Sequence, residues 1–373
     1  MKNNRDIIVE EIEAKAQTIH TDAYPMSIGE LISVYKEEEL DIHPEFQRFF
    51  RWNPLQKSKF IESILLGIPI PSIFVSQRED GVWDVVDGVQ RLSTIFEFTG
   101  VLRNEDGKRL PSSTLVGTDY LPVLEGMVWE DEDDPKHAFP NSLRLDFRRR
   151  KLDLKIIKKE SDENTKYDLF ERLNTLGSQL SDQEVRNCLL VMINKKFFNW
   201  LETIATIDSF QETTSLTDKS LQERYDMELA LRFLILSRVP EDTLQGIKDV
   251  GDFLTREMRG IANNPKFDLT KAKLVFERTF DALEKELGSD CFRRGDGGKG
   301  RGGFLISVFE VVAIGLGSSL MKKPDAKIEQ GWIRKVHADV MKNEDFKRYS
   351  KSGISASSRL PRLVPLGRRS FRL

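Results

Sequence analysis

The 373-residue chain carries 57 basic and 60 acidic residues, a formal charge of −3, which argues against a uniformly basic nucleic-acid binder. Its hydrophobic content of 39% supports more than one core, so two folded domains are expected rather than a disordered polymer. Cys188 and Cys291 stand far apart without a CxxC neighbour, which argues against a disulfide framework or a structural zinc site and points to a reducing compartment. The N-terminus MKNNRDIIVEEIEAKAQ has no signal-peptide core, and no run approaches the roughly 20 apolar residues of a membrane span. A cytoplasmic protein without a membrane segment is the expectation.

Ser27 followed by Glu30 is a capping-box pattern, and Ile28, Leu31, Ile32 and Tyr35 behind it recur at helical spacing. After the extended-looking DIHPEFQRFFRW, Asn53 and Pro54 supply an N-cap and an N1 proline for LQKSKFIESILL, with Gly67 as the stop. The prolines of IPIPS forbid continuation. IFVSQ and VWDVV around the turn EDG read as paired strands within 70–86, followed by the corner DGVQRLST and a helix that Gly100 closes.

Residues 101–142 are turn-rich, and the acidic run 130–134 reads as a solvated loop, because consecutive acids point in different directions and rarely converge on a metal. LRLDF and KLDLKII read as strands joined by the basic stretch RRRK. From about residue 165 the periodicity is helical, beginning with a second capping box, Ser181 and Glu184, and continuing around 220–237, 247–260, 270–287, 304–316 and 326–341. The Gly-rich segment 294–303 misses the GxxxxGK[ST] spacing and reads as a flexible loop. Residues 347–373 hold eight basic side chains and no acid, and read as a solvated basic tail. The expected layout is an α+β protein: an α/β domain over 1–164, an all-helical domain over 165–345 and a basic tail over 346–373.

At the corner, Asp87 ends a strand, Gly88 permits a tight turn, and Gln90 and Arg91 occupy the first turn of the next helix. A helix N-terminus presents unpaired N–H groups and the positive end of the dipole, so a guanidinium there favours phosphate. The competing reading pairs Asp87 with Arg91 internally and needs no ligand. Two further polar sets, Gln47 with Arg48 and Arg172 with Asn174, Glu184 and Arg186, suit a shared polar pocket.

PEFQRFFRW, ESILLGIPIPSIFV, VVDGVQRLSTIFEF and FERLNTLGSQLSDQEVRN together resemble, in order, the signature blocks of the GmrSD-type restriction endonuclease N-terminal domain family, within the ParB/sulfiredoxin-like superfamily. The blocks cover about residues 27–190. Val89 stands where the family's DGQQR motif has its first glutamine, which removes one amide. The resemblance implies a ParB-like α/β domain that binds a nucleoside triphosphate and, in several members, hydrolyses it to control DNA restriction of phage. Carried over by position, Gln47, Arg48, Gly88, Arg91, Asn174, Glu184 and Arg186 bind the nucleotide. Asp87, Gln90 and Arg91 serve catalysis, with Asp87 either holding a Mg²⁺-bound water or orienting the attacking one. The implied cofactors are Mg²⁺ and a nucleoside triphosphate of unknown base.

The family's nuclease of the His-Asn-His type needs a histidine base and nearby metal ligands, but His337 alone of the four histidines lies in the C-terminal half. Cutting activity is therefore expected on a separate polypeptide, the nuclease partner. Cys188, in the apolar run NCLLVMI, reads as a buried thiol rather than a nucleophile. Two other readings stay open at this level: a DNA-binding adaptor with a degenerate pocket, using RRRK and the basic tail on phosphates, and a metal-dependent DNase in its own right.

Overall fold

The signals at element ends are realised atom by atom. In the computed structural model, which describes residues 20–42, 52–104, 106–161, 181–293 and 302–373 together with Ile8 and Ile12, the chain divides into two units, Met1–Gln179 and Leu180–Leu373. Helix α1 (Ile28–Lys36) opens on the reciprocal cap: the Glu30 N–H donates to Ser27 Oγ at 3.2 Å and the Ser27 N–H to Glu30 Oε2 at 2.7 Å. Its buried face is Ile28, Leu31, Ile32 and Tyr35, each worth about 1.5–3 kcal/mol for the full burial of an apolar side chain. Helix α2 (Pro54–Leu66) is capped by Asn53 and Gln56 in the same way, and Gly67 ends it in the left-handed conformation, φ 73°.

Five strands form the sheet of the first unit: β1 (Thr21–Ser27), β2 (Leu40–Asp41), β3 (Ile73–Gln77), β4 (Trp83–Asp87) and β5 (Lys151–Ile157), in the order β1-β5-β3-β4-β2. β3 and β4 are antiparallel, as their hairpin spacing predicts, while β5 runs parallel to β3 and antiparallel to β1. β1 has no clear strand signature in its residues. Its Pro25 cannot donate to a ladder, which argues against a central strand but suits the edge position it takes. Helix α3 (Val89–Phe98) follows β4, and its Phe96 stacks on Tyr35 with ring centroids 4.2 Å apart inside a core shared by Ile73, Val75, Val85 and Leu154.

One expected strand is a helix. LRLDF lies inside α4 (Asn141–Arg149), which starts after Pro140 and ends with Arg148 and Arg149 in its last turn, where cations oppose the negative end of the dipole. Phe147 is buried and Leu145 is exposed, so the alternation of Leu143, Leu145 and Phe147 does not report one sheet face. In the loop before it, Glu130 pairs with Arg144 and Asp134 with His137 Nδ1 at 2.6 Å. No group of three metal-ligating side chains occurs among the described residues.

The second unit is helical: α5 (Asp182–Ala205), α6 (Asp208–Thr214), α7 (Asp218–Gln222), α8 (Tyr225–Leu236), α9 (Glu241–Gln245), α10 (Val250–Ala262), α11 (Leu269–Leu287), α12 (Ile306–Lys322), α13 (Trp332–Lys342), α14 (Glu344–Tyr349) and α15 (Ala356–Ser370). Most of the Gly-rich segment 294–303 lies outside the described residues. α5 breaks at Asn194, which takes φ −157° and ψ 89°. Its Oδ1 accepts from the Phe197 N–H at 3.0 Å and its Nδ2 donates to the Ala262 carbonyl at 2.8 Å, so one side chain restarts the helix and pins it to α10. No helix among the described residues is long and apolar enough to cross a membrane.

The segment expected to be a solvated tail is packed structure. α15 buries Leu360, Leu363, Val364 and Leu366 against α12, which is apolar on nearly all sides. Pro361 and Pro365 mask the helical period in the sequence, and the dense positive charge suggests solvent. The crossing has no room for a side chain at two glycines: a Cβ on Gly367 would collide with the Val311 carbonyl, and one on Gly315 with the Gly367 backbone. Because backbone cannot yield as a flexible side chain does, Gly367→Ala is expected to destabilise the helical unit by about 3 kcal/mol or more. Thermal and urea denaturation of the variant, with Gly260→Ala as an open-space control, measures it.

Candidate functional site

β4 delivers Asp87 to the end of the sheet, opposite Phe74 of β3. The next residue, Gly88, adopts φ 101° and ψ 12°, and a Cβ there would run into Ile73 Cδ1. The left-handed conformation favours glycine, and an added Cβ would also have to displace the end of the Ile73 side chain. The chain then enters α3, whose ladder begins with the Leu92 N–H donating to the Gly88 carbonyl at 2.9 Å. Gly88 brings no side chain to cap the helix.

Arg91, one turn into α3, folds back on the corner. Its Nη2 donates to Asp87 Oδ2 at 2.7 Å, and its Nη1 donates to the Ser72 carbonyl at 3.1 Å and to the Pro71 carbonyl. The side chains of Arg91 and Asp87 are only 12% and 18% exposed, so the pair is shielded and each charge-assisted hydrogen bond contributes about 1.5–3 kcal/mol. The guanidinium thus ties three pieces of chain together: the end of β4, the start of α3 and the proline-rich approach to β3. It also keeps donors in reserve, since a guanidinium carries five N–H groups. Gln90 is half-buried, and its backbone carbonyl accepts from Thr94 Oγ1 at 2.8 Å.

The structure therefore gathers Asp87, Gly88, Gln90 and Arg91 at one corner and gives Asp87 and Arg91 the internal pairing of the competing reading. Gln47, Arg48 and Asn174 lie outside the described residues, as does Arg172. Glu184 and Arg186 lie in the first turns of α5, in the helical unit. Glu184 Oε2 accepts from the Ser181 N–H at 2.8 Å as the capping box of α5. Arg186 is buried, donating from Nε to Gln183 Oε1 at 2.9 Å and from Nη2 to Glu228 Oε2 at 2.7 Å.

The partners that sequence reasoning missed are the carbonyls of Pro71 and Ser72 and the side chain of Ile73. Backbone acceptors carry no residue-type signature. The IPIPS stretch shows only that the chain is extended there, not that its carbonyls converge on a guanidinium twenty residues later.

Residues 28–191 match the family model described as GmrSD restriction endonuclease, N-terminal domain. That span contains every candidate residue named above, and it belongs to that family, which is one of restriction systems. No curated protein and no solved structure is matched by the chain.

The Gly88 geometry makes a test of the corner. Gly88→Ala is expected to cost about 1–3 kcal/mol through left-handed strain and contact with Ile73. Combining it with Ile73→Val, which removes the colliding Cδ1, should cost less than the sum of the two single changes. Denaturant melts of the four proteins in that cycle give the coupling directly.

Proposed function

Starting from a chain that carries a GmrSD restriction endonuclease N-terminal domain, we propose that it is the nucleoside-triphosphate-binding regulatory subunit of a bacterial restriction system that acts on phage DNA together with a separate nuclease. The observation that carries this reading is the corner itself. A strand end, a left-handed glycine and the first turn of α3 place Asp87, Gln90 and Arg91 side by side, with the guanidinium held against the turn by Asp87, Pro71 and Ser72. Phosphate oxygens approaching the start of α3 meet the positive end of its dipole. Arg91 acts in this scheme as a positioned cation rather than a mobile clamp, because its side chain is already ordered before any ligand arrives.

A Mg²⁺ arriving on the nucleotide needs few protein ligands, since this ion usually keeps its waters and takes one or two carboxylates besides phosphate oxygens. Asp87, with one oxygen on Arg91, is the carboxylate at the corner that fits such a role. When bound, the ion neutralises charge on the phosphates. Gln90, adjacent and half-buried, is assigned to positioning the attacking water if hydrolysis occurs.

Assignment of cutting to a separate polypeptide is supported by the packing of the candidate side chains. His337 is half-buried, and its Nε2 lies 3.2 Å from the Cys291 carbonyl, a backbone partner that occupies that nitrogen. Burial pushes the thiols of Cys188 and Cys291 up, away from the thiolate form that a nucleophile requires.

The test is a thermal-shift panel of ATP, GTP, CTP and UTP, each with and without MgCl₂, on the full chain. A nucleotide at a hundred times its dissociation constant should stabilise the folded state by about 2.7 kcal/mol. Gln90→Ala should keep the shift and lower any turnover, whereas Arg91→Ala should lose the shift. The absence of a shift with all four nucleotides would sink the proposal, and metal-dependent plasmid cutting by the purified chain alone would replace it with the DNase reading.

A further inference from the structure

The eight basic side chains of residues 347–373 do two different jobs. Arg359 grips the fully buried Glu310 through Nε at 2.6 Å and Nη2 at 3.0 Å, and Arg368 donates from Nη2 to the carbonyls of Leu236 at 2.8 Å and Val239 at 2.6 Å. These two hold α15 to its neighbours. Lys347 pairs with Glu344 at the surface. Arg348, Lys351, Arg362, Arg369 and Arg372 are exposed and form no ion pair among the described residues.

The unneutralised cations are ordered rather than scattered. The guanidinium carbons of Arg348 and Arg362 lie 5.5 and 5.9 Å from the centroid of the Tyr349 ring, so one aromatic holds two like charges. Arg362 and Arg369, seven residues apart, return to the same side of α15 after two turns. Arg362 also lines a concave opening of about 520 Å³, together with Gln245, Tyr349, Ser357, Ser358 and Pro361. Its polar lining is a guanidinium, hydroxyls and an amide, with no carboxylate. That donor set suits phosphate oxygens and repels no anion.

A membrane surface is the weaker fit. Residues 346–373 contribute none of the exposed large hydrophobic side chains, and interfacial binding needs an apolar face as well as charge. We propose that the α14–α15 face of the helical unit is a docking surface for the phosphodiester backbone of a nucleic acid, contacted through Arg362, Arg369 and their neighbours without base readout. It goes beyond the nucleotide reading and does not rest on it.

Fluorescence anisotropy with the full chain tests this, using a fluorescein-labelled DNA duplex of arbitrary sequence and one of its separated strands across a series of NaCl concentrations. Binding should weaken steadily with salt. The triple variant Arg362→Ala, Arg369→Ala, Arg372→Ala should bind roughly tenfold or more weakly at low salt and show a salt slope smaller by about two to three, one for each phosphate left without its arginine. Its melting temperature should match the native protein, because all three side chains are exposed. The double variant Arg148→Ala, Arg149→Ala, in the other unit, should bind as the native protein does. Tighter binding of one probe than of the other identifies duplex or single strand as the source of the backbone, and either supports the proposal. It is overturned if neither probe binds, if the triple variant binds like native, or if vesicles containing phosphatidylserine compete better than unlabelled DNA.

Discussion

An arginine in the first turn of a helix faces the positive end of the dipole, and Arg91 is stable there only because Asp87 and the carbonyls of Pro71 and Ser72 surround its guanidinium. That constraint propagates. Asp87 must end β4 at the register where it opposes Phe74, Gly88 must turn with a positive φ where Ile73 leaves no space for a Cβ, and the proline stretch must present two carbonyls inward. The corner is thus assembled before any ligand is considered, and the residues that chemistry would use are the same ones that the fold uses.

The helical unit solves a related problem in its interior. Arg186, Glu228, Arg232, Glu310 and Arg359 form a chain of charges, with Glu228 between Arg186 at 2.7 Å and Arg232 at 2.8 Å, and Glu310 gripped by Arg359. Glu310 is fully buried, so its charge is sustained by the two nitrogens of Arg359 and by Arg232 at 3.8 Å. Such a chain links α5, α8, α12 and α15, and the last two are the helices whose close approach at Gly315 and Gly367 excludes side chains. Directional charge contacts and backbone-to-backbone packing together select one arrangement of helices that are otherwise interchangeably apolar.

Charge in this protein is therefore partitioned rather than averaged. The formal value of −3 conceals arginines held by internal carboxylates or carbonyls and others, on α14 and α15, that face solvent and form no ion pair among the described residues. Composition cannot distinguish these two populations, since Arg359 and Arg362 are three residues apart on one helix and differ only in what lies opposite them.

What the chain's order of residues determined by itself was local: the caps at Ser27, Asn53 and Ser181, the stop at Gly67, the β3–β4 hairpin, the strand-to-helix corner and the helical character of the C-terminal half. Each depends on neighbours within a few residues, so each is written where it acts. Tertiary structure decided the rest. It turned LRLDF into a helix, gave Pro25 an edge strand, folded an apparent tail against α12, and placed Arg186 in a buried ion chain. In every one of these cases the deciding atom belongs to a residue far along the chain, or to a backbone carbonyl, and neither leaves a mark on the local pattern of residue types.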